Sequence, residues 1–276
     1  MKNIWINGMM GVVMGDVLGM PVQFVPREEL KNAPITQVEG YGTYNMPPGT
    51  WSDDSSMAIA TLDSIRDNKR IDYDDIMTRF VKWTLEGQYT PAGVAFDQGN
   101  TCVTLEEAVE YVHQVSALTH NHMRSKMACG IYFFIVQSIL DKEGTLIERL
   151  QQGMDEAKKF YKSDMTNLVE WSRFGRMTNL SEFADVSEEE IKSSGYVVDS
   201  LEAAVWSLIT TTSFEEGLLR AVNLGDDTDT IGAIAGGLAG LYYGYNNIPA
   251  EWRKVIIKRE EIIALCEWVE EEFYVG

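Results

Sequence analysis

The chain has 276 residues, of which 45% are hydrophobic and 24% are charged. This composition is typical of a globular protein with a sizeable core, and it excludes intrinsic disorder and collagen-like repeats. Acidic residues number 42 and basic residues 23, which gives a formal net charge of −19 at pH 7. A surface this acidic repels nucleic-acid backbones and anionic membranes. We therefore expect neither nucleic acid nor membrane as a partner.

Cysteine usage and the apolar N-terminal stretch indicate where the protein resides. Cys102, Cys129 and Cys266 are odd in number and widely spaced, which is typical of a reducing compartment. Residues 4–25 are apolar, but they include Asp16 and a proline, so they predict a buried helix rather than a membrane span. We expect a cytoplasmic protein, and a monomer.

Helical periodicity dominates the chain, at residues 57–65, 74–83, 128–140 and 252–269. Asp199 with Glu202, and Ser213 with Glu216, predict two further helix starts. Strict two-residue alternation is hard to find, so the sequence predicts an all-α fold. No linker or repeat divides the chain, and we expect one compact domain over residues 1–276.

Glycines recur every fourth residue in two apolar segments that are predicted to be helical. The first segment has them at positions 11, 15 and 19, and the second at 232, 236, 240 and 244. This spacing leaves one face of each helix without side chains, so that two backbones can approach closely. We expect both helices to pack tightly at the centre of a bundle.

Two short acidic clusters each precede an apolar helical run, Ser52-Asp53-Asp54 and Asp227-Thr228-Asp229-Thr230. Either cluster alone is explained by helix capping, because Ser, Thr and Asp are favoured at helix N-termini. Four neighbouring carboxylates exceed what capping needs, and they would repel one another without a cation. Donors that are all oxygen suit Mg²⁺, Mn²⁺ or Ca²⁺. Capping and a metal site both stay open on this pattern.

The histidines and a turn-rich segment are less informative. His120 and His122 are too close in sequence to share one helical face, which argues against a zinc pair. Residues 119–120 could simply cap a helix that begins near Met123. The polar stretch at residues 96–102 is compatible with a pocket wall or with a plain connection, and its spacing does not decide between them.

Taken in chain order, these segments resemble the ADP-ribosylglycohydrolase family. The resemblance begins with the Gly-x-x-x-Gly-Asp pattern of residues 11–19, and Ser52-Asp-Asp-Ser-Ser-Met57 is similar to the family's metal-binding Thr-Asp-Asp-x-x-Met segment. Residues 99–102, 119–122, 195–199 and 221–230 follow in the family's order. The resemblance implies a compact orthogonal helical bundle. It also implies an enzyme that uses two divalent metals, Mg²⁺ or Mn²⁺, to remove ADP-ribose from modified protein side chains. Its partner would be an ADP-ribosylated protein or a small molecule that contains ADP-ribose.

The resemblance also implies roles for individual residues. Six would be metal ligands: Ser52, Asp53, Asp54, Asp227, Asp229 and Thr230. Five would bind the ADP-ribose or its leaving group: Phe96, Asn100, His120, His122 and Tyr196. Catalysis would involve Asp54, Asp97 and Asp229, with Asp97 hydrogen-bonding the departing guanidinium of ADP-ribosyl-arginine. The metals would organise the sugar hydroxyls and a water while positive charge develops at the ribose carbon.

The chain departs from the family pattern in two places. Gln23 stands where many relatives have a glutamate near the metals, and a neutral amide weakens any acid–base role there. Residues 103–115 form a short connection where relatives carry a longer insert whose Gly-Asn-Gly-x-x-Met-Arg segment helps hold the diphosphate. Two alternatives therefore stay open beside an active hydrolase. One is a weakened or silent member that binds metal, with or without ADP-ribose, and the other, with least support, is a two-metal phosphohydrolase.

Overall fold

A computed structural model describes residues 3–91, 106–141 and 143–273. The described residues form α-helices joined by loops and short 3-10 turns, and no strand occurs among them. In chain order the helices are α1 (Ile4–Gly19), α2 (Arg27–Asn32), α3 (Asp53–Asn68), α4 (Tyr73–Glu86), α5 (Glu106–Thr119), α6 (Met123–Asp141), α7 (Leu146–Lys162), α8 (Leu168–Trp171), α9 (Leu180–Ala184), α10 (Val197–Ile209), α11 (Phe214–Val222), α12 (Thr228–Tyr243), α13 (Ala250–Val255) and α14 (Arg259–Phe273). The all-α prediction is confirmed.

Packing groups the chain into two compact units. Unit 1 combines both ends of the sequence, Met1–Gly99 and Ser213–Gly276, and unit 2 is the middle stretch, Asn100–Thr212. Helices α1 to α4 and α11 to α14 belong to unit 1, and α5 to α10 belong to unit 2. The single domain expected over residues 1–276 stays a prediction.

In unit 1, α1 and α12 pack against each other along their glycine faces. A Cβ atom at Gly15 would overlap the carbonyl oxygen of Gly232, and one at Gly11 would overlap that of Gly236. The two backbones therefore meet directly, as the recurrence of glycine at every fourth residue predicts. This contact makes α1 and α12 the centre of unit 1, with α3, α11 and α14 also packed against α1.

The segment Ile4–Val22, which is α1 with the turn that follows it, is long and apolar enough to cross a membrane by length and composition. Of its most apolar stretch of 18 residues, 67% is buried inside the fold. A helix so enclosed by other helices is typical of a protein core, which agrees with the buried helix predicted for residues 4–25. It is the single such segment within the described ranges.

Two predicted helix boundaries are wrong. The Asp199 pattern predicts a helix start, but α10 already begins at Val197, and Asp199 accepts a 2.8 Å hydrogen bond from the hydroxyl of Ser194. The single helix predicted over residues 252–269 is divided into α13 and α14. Lys258 lies between them with a φ of 52°, and this left-handed conformation interrupts helical hydrogen bonding.

The other predicted start is confirmed. Ser213 precedes α11, and its hydroxyl accepts a hydrogen bond of 3.2 Å from the backbone N–H of Glu216. This is the capping geometry that the sequence pattern indicates. The helix ends at Val222, and the chain reaches the second acidic cluster through Gly225, whose φ of 80° suits a residue without a side chain.

Candidate functional site

The first acidic cluster lies at the N-terminus of α3. Ser52 is the N-cap residue, yet its side chain makes no capping hydrogen bond. Its hydroxyl is buried close to the carboxylate of Asp16, but it makes no hydrogen bond of normal geometry within the described part of the chain. Asp53 is buried and Asp54 is partly buried in the first helical turn. Capping therefore does not explain the hydroxyl of Ser52.

The second acidic cluster lies at the N-terminus of α12. Asp227 is the N-cap residue, and its side chain accepts a 3.0 Å hydrogen bond from the hydroxyl of Thr230 instead of capping the backbone. Oδ1 of Asp229 accepts a 2.9 Å hydrogen bond from the backbone N–H of Thr230. Oδ2 of Asp229 is buried, and among the described residues it has no hydrogen-bond donor. A buried carboxylate oxygen in this state is stabilised by a proton or by a cation.

The two clusters meet inside unit 1. Asp229 is 0% exposed, and burial raises its pKa well above the usual range of a carboxyl group. The negative charges of Asp54, Asp16 and Asp227 raise the same pKa further. A carboxylate from the start of α3 thus acts electrostatically on one from the start of α12. Since like charges at this range repel, a bound cation would stabilise the arrangement.

The donor chemistry of this cluster fits a hard divalent cation. Carboxylate and hydroxyl oxygens are the ligands that Mg²⁺ and Mn²⁺ prefer, and Oδ2 of Asp229 offers a buried acceptor with no donor of its own among the described residues. Within the described ranges, no three His, Cys, Asp or Glu side chains are already gathered around one point. The side chains therefore share a neighbourhood without forming a closed cage of such ligands.

The loop after α1 is tied to the loop that carries the second cluster. The backbone N–H of Phe24 donates to the carbonyl of Asp226 at 2.5 Å, and the N–H of Asp226 donates to the carbonyl of Val25 at 3.0 Å. This pairing places Gln23, which is buried, beside the loop that leads into Asp227. Gln23, which the family resemblance places near the metals, therefore lies beside the loop that leads into the second acidic cluster.

The predicted substrate-binding residues that the structure describes come together in unit 2. A cavity of ≈ 380 Å³ is lined by Ser116, Thr119, His120, His122, Arg124, Ser125, Cys129, Gly195, Tyr196 and Val197. His120, His122 and Tyr196 thus share one pocket. Phe96, Asp97 and Asn100 lie outside the described residues, so their predicted roles stay predictions.

The same pocket contains an arginine, Arg124, that the sequence patterns do not single out. Arg124 forms two hydrogen bonds with the carboxylate of Glu170, at 2.7 and 3.1 Å, and its guanidinium lies 5.7 Å from the ring centroid of Tyr196. The backbone N–H of Arg124 donates to Nδ1 of His122 at 3.1 Å. The side chain of His122, rather than residues 119–120, therefore serves the start of α6.

The short connection at residues 103–115 is helical where the structure describes it. Helix α5 begins at Glu106 and runs to Thr119, while residues 103–105 lie outside the described ranges. Beyond the first turn of a helix, backbone N–H groups are bonded to carbonyls four residues earlier. From its second turn onward, α5 therefore cannot present a row of free N–H groups to a diphosphate in the way that a glycine-rich loop can.

In unit 1, Asp16 belongs to the site although the sequence patterns give it no role there. Its carboxylate accepts hydrogen bonds from the start of α3, at Ser52 and Ser55. Burial raises the pKa of Asp16 to about 6, although those hydrogen bonds oppose the shift. The signal in the sequence was a lone acid within an apolar helix.

Comparisons with known proteins identify the family of this chain. The family model described as ADP-ribosylglycohydrolase matches residues 5–105 and 88–276. The chain is 28% identical over 289 residues to the ADP-ribosylarginine hydrolase Tri1 of Serratia proteamaculans, covering 95% of this chain and 77% of that protein. It is 26% identical over 282 residues to the ADP-ribosyl-(dinitrogen reductase) glycohydrolase of Rhodospirillum rubrum, covering 90% and 88%.

A solved structure shows the same fold. It is described as an ADP-ribosylglycohydrolase-related protein complex, and it superposes with a TM-score of 0.76 at 24% sequence identity, covering 98% of both chains. The family match extends over nearly the whole chain. The protein therefore belongs to the ADP-ribosylglycohydrolase family of glycosidic-bond hydrolases.

Proposed function

We propose that the protein removes ADP-ribose from modified protein side chains, with N-glycosidic ADP-ribosyl-arginine as its substrate linkage and two divalent cations, Mg²⁺ or Mn²⁺, as cofactors. The linkage is supported by relatives from Serratia proteamaculans and Pseudomonas putida, which are named ADP-ribosylarginine hydrolases. The observation that carries the metal dependence is the meeting of two acidic clusters around the buried Asp229.

Unit 1 would supply the metal ligands. The set consists of Ser52, Asp53, Asp54, Asp227, Asp229 and Thr230, all of which lie at the N-termini of α3 and α12. Bound divalent cations would orient the ribose hydroxyls and a water molecule while positive charge develops at the anomeric carbon. Asp54 and Asp229 are the two predicted catalytic residues that the structure describes. Their negatively charged carboxylates would contribute by holding the cations in place.

Unit 2 would supply substrate contacts. His120, His122 and Tyr196 present aromatic rings to one pocket, which suits the planar and sugar parts of a nucleotide. Arg124 is held by Glu170 and in turn restrains the ring of Tyr196. Asp97 stays the predicted acceptor for the guanidinium that leaves, because a carboxylate pairs well with the planar fork of arginine.

The test measures ADP-ribose released from a protein that is ADP-ribosylated on arginine. We expect EDTA to abolish release and millimolar Mg²⁺ or Mn²⁺ to restore it, because the proposed ligands are all hard oxygens. A substrate with an O-glycosidic ADP-ribosyl bond serves as the control for linkage and should be cut more slowly. Full activity after removal of metal would contradict the metal dependence, and equal rates on both substrates would contradict the linkage.

Helix α5 favours a second function, that of a family member which binds metal but turns over slowly. It occupies most of the short connection, where relatives are expected to carry a glycine-rich loop. This function predicts metal binding without measurable release of ADP-ribose in the same assay. Under either function we propose a cytoplasmic monomer whose partner is an ADP-ribosylated protein or a small molecule that contains ADP-ribose, with neither nucleic acid nor membrane required. Cys129 and Cys266 are free thiols, which suits a reducing compartment.

A further inference from the structure

Asp16 is the only charged residue of α1, and it is 0% exposed. Its two carboxylate oxygens accept three hydrogen bonds from the start of α3. The backbone N–H of Ser52 donates to Oδ1 at 2.8 Å, and the backbone N–H and hydroxyl of Ser55 donate to Oδ2 at 3.0 and 2.6 Å. Burying a carboxylate costs free energy even when it is hydrogen-bonded. The position therefore calls for a reason beyond the packing of an apolar helix.

One of the three bonds, which the backbone N–H of Ser55 donates from the first turn of α3, performs the task that an N-cap side chain usually performs. The first N–H groups of a helix lack partners within it, and the side chain of the N-cap residue ordinarily accepts from one of them. In α3 this residue is Ser52, whose side chain does not cap. The acceptor is supplied instead by Asp16, 36 residues earlier in the sequence.

Helix α4 shows the usual arrangement in the same unit. Its N-cap residue is Asp72, whose own side chain accepts a hydrogen bond of 3.1 Å from the backbone N–H of Asp75. The contrast between α3 and α4 is therefore one of which residue caps, since the N-terminus of each helix has an acceptor. Of these two helices, α3 alone carries proposed metal ligands at its start.

We propose that Asp16 is a positioning residue of the metal centre, because it caps α3 in place of Ser52 and so leaves the hydroxyl of Ser52 available as a ligand. The inference rests on the proposed metal dependence. Both oxygens of Asp16 are already engaged by α3, so Asp16 orients ligands and does not itself need to ligate. Its negative charge also reaches Asp229 at the start of α12, which places it beside both acidic clusters.

The experiment compares four variants with the unaltered full-length protein. Two readouts are taken on each, the thermal midpoint of the metal-free protein and the dissociation constant for Mn²⁺ by calorimetry. Asp16→Asn should weaken Mn²⁺ binding by about 10- to 100-fold, which is the usual effect of losing a partner that orients metal ligands. Ser52→Ala should weaken Mn²⁺ binding without lowering the metal-free midpoint. Asp72→Ala, the matched control, should lower the midpoint and leave Mn²⁺ binding unchanged.

The fourth variant guards against misfolding. Ser55→Ala removes one of the three hydrogen bonds to Asp16 and should weaken Mn²⁺ binding by a smaller factor than Asp16→Asn does. If Ser52→Ala lowers the metal-free midpoint as much as Asp72→Ala, Ser52 is the cap and the inference is overturned. Unchanged Mn²⁺ binding in both Asp16→Asn and Ser55→Ala would leave the metal centre standing and remove only the role of Asp16. Failure of the unaltered protein to bind Mn²⁺ would overturn the proposed metal dependence and this inference together.

Discussion

The hydroxyl of Thr228 donates a hydrogen bond of 2.7 Å to the carbonyl oxygen of Gly19. The bond joins the first residue of α12 to the last residue of α1, and a side chain at Gly19 would overlap the carbonyl oxygen of Thr228. Asp16, which lies three residues before Gly19 on α1, accepts a hydrogen bond from the start of α3. Helix α1 is thus the common support of both acid-bearing helix starts, so the geometry of the acidic cluster depends on how closely α1 and α12 pack.

Gly15→Ala tests this dependence. The added methyl group would overlap the carbonyl oxygen of Gly232, which is backbone and cannot rotate away. The helices must separate, and we expect a loss of about 1–3 kcal/mol in the free energy of unfolding, as for other overpacked cores. Because both acidic clusters are attached to α1, Mn²⁺ binding should weaken as well. Urea unfolding and calorimetry measure the two effects.

Gly8→Ala is the matched control on the same helix. A Cβ atom there meets only the side chain of Leu241, at 3.2 Å, and a side chain can shift. Stability and Mn²⁺ affinity should stay close to those of the unaltered protein. Equal losses in Gly15→Ala and Gly8→Ala would show that close backbone packing is not what holds the clusters together.

Asp53→Ala and Asp227→Ala should separate metal binding from folding. Each removes one proposed ligand, so we expect the Mn²⁺ dissociation constant to rise in both. Helix content by circular dichroism should be unchanged, because a lost helix-start interaction costs only ~1 kcal/mol. Asp74→Ala removes a first-turn acid from α4, away from the cluster, and should not affect Mn²⁺ binding. Unchanged Mn²⁺ affinity in both cluster variants would mean that the acids serve only their helices.

Free ADP-ribose should bind weakly. Beyond its first turn, helix α5 uses its backbone N–H groups internally, so this described part of the connection cannot supply the two or three hydrogen bonds, at roughly 1.5–3 kcal/mol each, that a glycine-rich loop would make to the diphosphate. The loss corresponds to about two to six orders of magnitude in affinity relative to a protein with the loop. Calorimetric titration measures this directly, with Mn²⁺ affinity as the control for an intact metal centre. Micromolar or tighter binding would show that other residues hold the diphosphate.

Glu202 should make stability depend on pH. Its pKa is raised to about 7 by burial, partly opposed by Arg176 at 3.2 Å and by Lys192, while Asp199 raises it further. A carboxyl group that binds its proton more tightly in the folded state contributes stability that is fully present below its ordinary pKa of 4.5 and is lost as the pH rises through about 7. The loss is on the order of 3 kcal/mol.

The variant Glu202→Gln isolates this contribution, because an amide of the same size does not ionise. The unaltered protein should lose stability relative to Glu202→Gln between pH 5 and pH 8, the range that spans the raised pKa. Urea unfolding of both proteins across this range gives the difference. Parallel pH profiles would show that Glu202 ionises normally in the folded protein.

Local patterns in the sequence predict much of the helical fold and part of the site. The hydroxyl and acidic residues at 52–54 and 227–230 mark two helix starts, and the glycine spacing predicts which helices meet. These features depend on neighbours within one or two turns, which a single sequence displays. The break at Lys258 carries no such mark, because no glycine or proline announces its left-handed backbone.

The role of Asp16 could not be predicted for a different reason. In the sequence it is only an interruption of an apolar run, whereas its partners Ser52 and Ser55 lie 36 and 39 residues away. Pairing between such distant groups is decided by the fold. The same holds for Arg124, whose partner Glu170 is 46 residues away on α8. Polar residues that act on a site through other residues are thus the part that sequence patterns show least.

Unit 1 is built from two segments that are far apart in the sequence, and this determines the order in which its contacts form. Gly19 and Thr228 are 209 positions apart, and all of unit 2 is encoded between them. Contacts across so long a loop form late and slowly, because bringing the two ends of the loop together costs conformational entropy before the contacts can stabilise the fold. On the ribosome, the glycine face of α1 emerges long before α12 exists to cover it. A newly made chain therefore carries its most apolar helix without α12 to cover it while the 209 positions between Gly19 and Thr228 are synthesised, and the two acidic clusters cannot meet until residues 227–230 have been made.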